Sequence, residues 1–496
     1  MIIAHDLGTT GDKASLHHDD GRLVAAATVR YGTRYADGGV AEQNPDDWHD
    51  AVCAATRRLL ADTGTAPGAV AAVSFSGQMM GAVLLDAAHR PVRPALIWAD
   101  HRSSAQAARL NAALGEEEAY RLLGHRIHPT YSLTKVCWVR EHEPDVFARV
   151  AGVCLAKDYV VRRLTGRLVT DPSDASSTNA YDQERGAWSE RVLEAAGLDS
   201  GLFPEIVPAT TVVGELSAAA ADATGLAAGT PVVLGGGDGP LAALGAGRVD
   251  PADGAYAYLG SSSWVSLSAA APMHDPRMRT MTFDHVVPGR YVPTATMQTG
   301  GAALEWAAEV LRPDGGEARF AELTRAAAEV DTRGLYFLPH LMGERSPYWT
   351  AAARGTFLGL ARHHGPAHLT RAVLEGVAFN LYTCVRAFRE AGHAVDTVDA
   401  IGGGASSDLW LQVLADTWGA TVRRRRIGEE ANSLGAAVVA AVGTGLVPDF
   451  GVARELSDVT AEFTPDPGRH ADYAARHASF LDAYARLEGW YERENG

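Results

Sequence analysis

Two short hairpin patterns, separated by about half of the 496-residue chain, constrain the fold more than any other feature of the sequence. In the first, an apolar segment at residues 2–7 is followed by the turn sequence GTTG at 8–11 and by a second strand from Lys13. The second pattern has an apolar segment at 255–259, the turn GSSS at 260–263 and a return strand at 264–267. Each combination predicts a β-hairpin. We therefore expect two domains of similar core topology, 1–248 and 249–496, joined at the polar stretch 248–254.

Helical and strand patterns alternate between and after the hairpins. Residues 45–60 predict an amphipathic helix, with Asn44 as N-cap and Pro45 at the first helical position, and residues 370–389 predict a long core helix. Buried strands are expected at 70–75 and at 398–401, the latter running into three glycines and a helix at 408–418. Such alternation predicts α/β domains with largely parallel central sheets.

Charge and composition exclude several classes of protein. Lys and Arg number 44 against 60 Asp and Glu, a net charge of −16, which argues against a nucleic-acid partner. No apolar run approaches the ~18 residues that a membrane span needs, and the first residues do not resemble a signal peptide. The four cysteines are widely separated and are expected to be buried thiols. We predict a cytoplasmic protein without a membrane partner.

Four glycine-rich turns follow predicted strands, at 8–11, 235–239, 260–263 and 402–404. Glycine lets backbone N–H groups approach a phosphate, although glycine also serves simply to make turns. Neither the P-loop motif nor the dinucleotide-binding G-x-G-x-x-G is present. Asp6 precedes the first turn and Asp238 lies within the second. Carboxylates beside phosphate-binding turns can hold Mg²⁺ or accept a hydroxyl proton; alternatively they cap a turn or helix.

A series of motifs, in order along nearly the whole chain, resembles the FGGY carbohydrate kinases and, among them, most closely the xylulokinases. The matching segments are DLGTTG at 6–11, SGQMMG at 76–81, WADHR at 98–102, KVCWV at 135–139, AKDY at 156–159, GDG at 237–239, GERSP at 343–347 and GTFLGL at 355–360 with HL at 368–369 and RAVLE at 371–375. The resemblance implies two actin-like (ribonuclease H-like) α/β domains that close over a deep interdomain cleft. It implies a kinase that uses ATP and Mg²⁺, with D-xylulose as the first choice of acceptor and a homodimer as the expected assembly.

The resemblance also assigns roles to residues. Asp238 matches the family's catalytic base, and Asp6 matches the acid that positions Mg²⁺ and the phosphates; both are candidate metal ligands, directly or through water. Gln78, Met79 and Met80, with Asp238, match the sugar-contacting positions of the first domain. Positions that match the phosphate-facing loops are Gly8, Thr9, Thr10, Lys13, Ser261 and Ser262. Positions that match the segments bordering adenosine in the second domain are Gly300, Gly301, Gly403, Gly404 and Asp408.

Three departures from the xylulokinase pattern bear on the acceptor. Met80 stands where a histidine is usual, so one donor to a sugar hydroxyl is lost or replaced. Gly239 stands where asparagine is usual, and it resembles the gluconate kinases, as does WADHRS at 98–103. The third departure is GSSS at 260–263, where G-T-S-G is usual; Ser262 keeps a hydroxyl there. Gluconate, ribulose or a polyol are therefore alternative acceptors, and a sugar sensor or a nucleotide-driven switch are the alternatives outside catalysis.

Several other features have two readings from sequence alone. Trp98, Trp264 and Trp306 could line a sugar cleft or pack in the core. The basic run 423–426 could contact the outer part of ATP or form an exposed strand edge. The acidic runs at 46–47 and 116–118 are interpreted as solvated surface or helix N-terminal charges.

Overall fold

The computed structural model describes residues 1–314, 316, 319–427 and 430–495. The strands of the first half are β1 (Ile2–Leu7), β2 (Gly11–His17), β3 (Leu23–Arg30), β4 (Arg34–Ala36), β5 (Val40–Gln43), β6 (Ala72–Gly77), β7 (Val83–Leu85), β8 (Ala95–Leu96), β9 (Gly152–Cys154), β10 (Val169–Thr170), β11 (Tyr181–Asp182), β12 (Ala187–Trp188), β13 (Glu205–Ile206), β14 (Val212–Glu215), β15 (Pro231–Val233) and β16 (Gly236–Gly237). The strands of the second half are β17 (Ala255–Leu259), β18 (Ser263–Leu267), β19 (Met281–Asp284), β20 (Tyr291–Met297), β21 (Tyr336–Leu338), β22 (Thr356–Leu358), β23 (Thr397–Ile401), β24 (Thr421–Arg425) and β25 (Val459–Phe463).

The helices pack on the two main sheets, on the smaller sheets and on one another. They are α1 (Pro45–Thr63), α2 (Ser104–Leu114), α3 (Glu116–Leu123), α4 (Ser132–His142), α5 (Pro144–Phe147), α6 (Ala156–Thr165), α7 (Pro172–Ala175), α8 (Glu190–Ala196), α9 (Ala218–Thr224), α10 (Asp238–Gly245), α11 (Gly301–Leu311), α12 (Arg319–Ala327), α13 (Pro366–Glu390), α14 (Asp408–Trp418), α15 (Ala431–Gly443) and α16 (Pro467–Asn495). Within the described residues, no helix has the length and apolar character needed to cross a bilayer.

Both central sheets are mixed. The first has the order β14-β15-β6-β1-β2-β3, with β16 also beside β6, and the second has the order β19-β20-β18-β17-β23-β24-β25. Parallel pairing is confined to the middle of each sheet, where β1 pairs with β6 and β17 with β23. The prediction of largely parallel sheets is therefore wrong. The hairpins explain the difference, because a tight turn can join only antiparallel strands, and each hairpin brings further antiparallel neighbours with it.

The two hairpins occupy equivalent places in the two sheets. In the first half β1 pairs antiparallel with β2 and parallel with β6; in the second, β17 pairs antiparallel with β18 and parallel with β23. This shared topology confirms the repeat that the sequence indicates. The β1–β2 turn and the β17–β18 turn therefore lie at corresponding edges of their sheets.

Local signals place several helices correctly. The side chain of Asn44 accepts from the Asp46 N–H at the start of α1, Pro45 opens the helix, and Gly64 ends it with a φ of 66°. Helix α13 extends the segment predicted at 370–389 by a few residues at its start, and α14 has the predicted bounds. Sixteen residues of α13 are buried, and this helix forms the core of the second half beneath β17 and β18.

Helix α15 follows the predicted boundary in sequence, yet it packs on the first half. Its alanine and valine side chains at 436–441 share one apolar cluster with Ile2, Ala4 and Ala72 of the first sheet. A Cβ at Gly435 would lie 2.2 Å from the Leu241 carbonyl oxygen, so α10 and α15 approach backbone to backbone. The stretch 248–254 is itself structured, because buried Arg248 donates to Asp399 at 2.7 Å. The division at 248/249 stays a prediction about the sequence.

Candidate active site

Strand β6 brings Asp6 and Asp238 to one edge of the first sheet. It lies between β1, which carries Asp6, and β16, which ends directly before Asp238. Asp6 pairs with Ser76 across β1 and β6, and Gly237, the residue before Asp238, pairs with Gly77 across β16 and β6. The two carboxylates are close enough that the charge of Asp6 raises the pKa of Asp238. They therefore belong to one site.

Asp238 is the first residue of α10, and burial governs its chemistry. Burial raises the pKa of Asp238 to about 7, the nearby Asp6 charge adds to the rise, and the hydrogen bond from Gly239 N–H at 2.8 Å opposes it. A carboxyl group with a pKa near neutrality can accept a proton from an attacking hydroxyl and return it afterwards. At Gly237 a Cβ would lie 2.8 Å from both Cγ and Sδ of Met79, so a side chain here would displace Met79 beside Asp238.

Asp6 is held by neutral donors. The Ser76 hydroxyl donates to Asp6 at 2.8 Å, and the Asn432 amide donates to both of its oxygens at 3.2 and 3.3 Å. Burial raises the pKa of Asp6, and the hydrogen bonds from Ser76 and Asn432 oppose that rise, as does the charge of Lys13. Lys13 pairs with Asp6 across β1 and β2, so the predicted phosphate-facing lysine lies at this edge too.

A cavity of about 210 Å³ adjoins Asp238; we call it the acceptor cavity. Met79 and Met80 line it, as the resemblance implies, and the backbone of Met80 has a φ of 68°. Gln78 does not line it, because its amide donates to Gln43 at 2.8 Å. The other residues of its wall are Thr9, Trp98, Gly239, Ser262, Trp264, Met281, Phe283, Thr294, Thr296, Arg345 and Asn432.

A second cavity of about 930 Å³ lies in the second half; we call it the nucleotide cavity. Five of its lining residues were predicted to bind nucleotide: Ser261, Gly301, Gly403, Gly404 and Asp408. Gly300 lies just beneath it, where its N–H donates to the Ser261 carbonyl at 2.8 Å. The basic run contributes Arg424, which contacts Asp408 at this cavity's rim; Arg423 and Arg425 both pair with buried Asp399. Strand β24 is not a sheet edge, because β25 covers it.

The second hairpin turn separates the two cavities. Ser261 lines the nucleotide cavity, while the next residue, Ser262, lines the acceptor cavity together with Thr9 of the first turn. Gly8 closes the first turn through hydrogen bonds of its N–H to the Asp6 and Gly11 carbonyls, and Thr10 is exposed beside it. A phosphate chain that extends from the nucleotide cavity past 261–262 would thus reach Asp238.

The structure distinguishes between the two interpretations of the three tryptophans, cavity lining and core packing. Trp98 lines the acceptor cavity and its indole N–H donates to Thr9 at 2.9 Å; Trp264 lines it as well. Trp306 lies outside both cavities and stacks on Phe337. The candidate site also contains two residues that were given no role from sequence, Arg345 and Asn432. Arg345 lies within the GERSP motif at 343–347, which could have identified it from the sequence. No motif in the sequence analysis marks Asn432.

The carboxylates suit a hard cation such as Mg²⁺, which takes oxygen ligands. Asp6 and Asp238 lie close enough to repel one another, and a divalent cation would relieve that repulsion. Among the described residues, no group of three or more Asp, Glu, His or Cys side chains could hold a metal without other ligands. The chain therefore fits Mg²⁺ that arrives with phosphates and water as further ligands.

Comparison with known proteins agrees with this geometry. Residues 1–245 match the N-terminal domain of the FGGY family of carbohydrate kinases, and residues 255–444 match its C-terminal domain. The xylulose kinase of Escherichia coli (strain K12) is 34% identical over 491 residues, which is 98% of this chain and 99% of that protein.

The gluconokinase of Bacillus subtilis (strain 168) is 29% identical over 501 residues, 99% of this chain and 96% of that protein. The crystal structure of xylulose kinase from Rhodospirillum rubrum superposes with a TM-score of 0.91 at 31% identity, covering 99% of each chain. The two cavities, the paired hairpin turns and these matches lead to one assignment: the chain belongs to the FGGY family of carbohydrate kinases, enzymes that transfer a phosphoryl group from ATP to a sugar.

Proposed function

We propose that this chain phosphorylates D-xylulose on its terminal hydroxyl, giving D-xylulose 5-phosphate and ADP. The observation that carries the proposal is that two consecutive residues line the two cavities, Ser261 the nucleotide cavity and Ser262 the acceptor cavity, which Asp238 also lines. Likeness to xylulose kinases over almost the whole chain supports the choice of acceptor.

In the proposed mechanism Asp238 accepts the proton of the acceptor hydroxyl as that oxygen attacks the γ-phosphorus. The bond from this phosphorus to the β–γ bridging oxygen breaks, and ADP leaves with the bond's electron pair. The turns at 8–11 and 260–263 supply N–H and hydroxyl donors to the phosphates. Asp6 and Asp238 would hold Mg²⁺, which supplies charge neutralisation when bound. Met79, Trp98 and Trp264 exclude water around the reacting oxygens, so hydrolysis of ATP does not compete.

Roles for single residues follow from the same arrangement. We assign Asp238 as base, Asp6 as metal- and phosphate-positioning acid, and Thr9, Lys13, Ser261 and Ser262 to the phosphates. Gly301, Gly403, Gly404 and Asp408 border the nucleotide. Met79 and Met80 contact the acceptor, whereas Gln78 acts through Gln43. A homodimer and a cytoplasmic location stay predictions.

Gluconate is a second candidate acceptor. Gly239 and Met80 depart from the xylulokinase pattern, and a gluconokinase is 29% identical over 99% of the chain. Both acceptors have an open-chain form with a terminal primary hydroxyl, the group whose proton Asp238 would accept.

A coupled assay of ADP release over ketopentoses, polyols and aldonates tests the proposal. We expect turnover to depend strongly on D-xylulose, and Asp238→Asn to lower kcat by at least about 1000-fold while ATP still binds. Asp222→Asn, at an exposed position on α9, is the matched control and should leave kcat unchanged. A preference for gluconate would identify gluconate as the acceptor in place of D-xylulose. ADP release that does not depend on any sugar would indicate a nucleotide-driven switch. Sugar binding without turnover would indicate a sensor.

A further inference from the structure

Arg345 is one of the residues that line the acceptor cavity. Its Nε is buried and makes no hydrogen bond, and no hydrogen bond or ion pair of its side chain occurs within residues 1–314, 316, 319–427 and 430–495. The guanidinium lies over the ring of Trp98, 5.9 Å from its centroid. Leaving a buried donor unpaired destabilises the folded state, the more so for a charged group, so the arrangement indicates a ligand that completes it.

Several other donors at the acceptor cavity are already committed to protein partners. These are the Trp98 indole N–H to Thr9, the Trp264 indole N–H to Tyr256, the Asn432 amide to Asp6 and the Thr294 hydroxyl with Ser266. Much of the remaining wall is apolar, formed by Met79, Met80, Met281 and Phe283. Arg345 is therefore the strong donor that this cavity offers to a bound acceptor.

The chemistry of the acceptor defines what Arg345 meets. In the ring form of a 2-ketopentose, the C5 oxygen is bonded to C2 and cannot be phosphorylated. The free 5-hydroxyl exists only in the open-chain form, in which C2 is a carbonyl. A guanidinium has donors and no acceptor, so it pairs with a carbonyl or carboxylate oxygen better than with a hydroxyl, which also presents a proton.

We propose that Arg345 binds the carbonyl oxygen of the open-chain acceptor and so selects acceptors with an sp² oxygen at the end remote from the reacting hydroxyl. This inference rests on the proposed function. It covers 2-ketoses through the ketone and aldonates through the carboxylate, and it disfavours polyols, in which the same carbon carries a hydroxyl. Asp238 binds the reacting end and Arg345 the other, so the two residues fix the direction of the acceptor in the cavity.

The test compares D-xylulose with xylitol, its reduction product at C2, in the wild type and in Arg345→Met. We expect the wild type to favour the ketose in kcat/KM, and Arg345→Met to lose about 10- to 100-fold on D-xylulose but less than about threefold on xylitol. Arg345→Lys keeps the charge without the fork and should show an intermediate preference. Arg362→Met, at an exposed position, should match the wild type.

Several results would overturn the inference. Equal losses on both acceptors, or an unchanged preference, would show that Arg345 does not read the carbonyl. An unchanged Tm and unchanged ATP affinity, measured by calorimetry, separate this effect from misfolding; if Arg345→Met is unfolded, Arg345→Lys decides. If the wild type prefers gluconate, the comparison is made between gluconate and D-glucitol, and Arg345→Met should again lose more kcat/KM on the acceptor with the sp² oxygen. If neither is turned over, the proposed function fails, and calorimetric binding of D-xylulose against xylitol decides the role of Arg345.

Discussion

The side-chain amide of Asn432 donates to both carboxylate oxygens of Asp6, at 3.2 and 3.3 Å, although the two residues lie 426 positions apart in sequence. Asn432 is in the first turn of α15, the helix that packs on the first sheet. Through this contact, the packing of a helix late in the chain orients the carboxylate of Asp6 in the candidate site. Asn432 also borders the acceptor cavity, so it can adjust Asp6 when the site fills.

Replacing Asn432 with leucine, which has a similar shape, removes both donors from Asp6. The hydrogen bonds from Asn432 oppose the burial that raises the pKa of Asp6, so that pKa should rise further and a smaller fraction of Asp6 should be ionised. We expect kcat to fall about 5- to 30-fold at pH 7, with a higher Mg²⁺ concentration required for half-maximal rate. The control is Asn111→Leu on α2, which removes an amide that donates to the Ile127 carbonyl away from the site. A change confined to KM for the sugar would contradict this role.

The pH dependence of the rate should report Asp238. Burial, followed by the Asp6 charge, raises its pKa to about 7. A general base works in its ionised form, so kcat/KM for the acceptor should rise about tenfold per pH unit below 7 and level off above it. Initial rates between pH 5.5 and 8.5 measure this profile.

A second variant tests the cause of the raised pKa. Asp6→Asn removes the neighbouring negative charge, so the inflection of the residual activity should move to lower pH. A profile flat across this range in the wild type, or one whose inflection stays in place in Asp6→Asn, would contradict the assignment of Asp238 as base.

The parts of the fold that could be predicted depend on short-range signals. The hairpin turns, the N-cap at Asn44 and the helix after residues 402–404 are each encoded within a few residues, and the structure has them where the sequence places them. The mixed character of the two sheets could not be predicted from such local signals, because the direction of a strand relative to its neighbours also depends on segments distant in sequence. For the same reason, the packing of α15 on β1 and β6 could not be predicted from the sequence.

The candidate site divides along the same line. Asp6, Asp238 and Met79 could be found because motifs carry them, and the structure brings them to one edge of the first sheet. Asn432 lies in a helix of ordinary apolar pattern, and its contact with Asp6 exists only after α15 has packed. Gln78 shows the converse, because its motif pointed to the sugar whereas its amide is bound by Gln43. A motif gives the neighbourhood of a side chain, while the direction in which it points depends on tertiary packing.

Lys157 lies beneath the site, fully buried, with carboxylates of Asp158, Asp171 and Asp174 at 2.7, 2.9 and 3.0 Å. Three buried acids around one cation depend on that cation. We expect Lys157→Met to lower the free energy of unfolding by about 3–5 kcal/mol near pH 7. The charge of Lys157 lowers the pKa of Asp158 and Asp174, so without the ammonium the folded-state pKa values of these two acids rise. The loss should therefore grow as pH increases from about 4, where the unfolded acids begin to ionise.

Urea unfolding at pH 5 and pH 7 measures the effect of this substitution. Adding Asp174→Asn to Lys157→Met removes one of the stranded acids, and part of the stability should return. The control is Arg58→Met, which breaks an exposed pair with Asp62 and should cost less than about 1 kcal/mol. Equal stability of Lys157→Met and the wild type at both pH values would show that the three buried acids do not depend on the lysine.

Met80 combines an unusual backbone with an unusual side chain. Its φ of 68° lies in the left-handed region, where histidine is better tolerated than methionine, and its N–H donates to the Ser177 hydroxyl at 3.3 Å. Met80→His would add a donor to a largely apolar part of the acceptor cavity, at the position where the xylulokinase pattern has histidine. We expect KM for D-xylulose to fall about 2- to 10-fold, the effect of one neutral hydrogen bond, with KM for ATP unchanged. Met342→His, at an exposed position, should change neither constant. A higher KM for D-xylulose in Met80→His, with Tm unchanged, would mean that the acceptor rests against the methionine itself, and that the apolar surface at this position is part of how the cavity recognises its sugar.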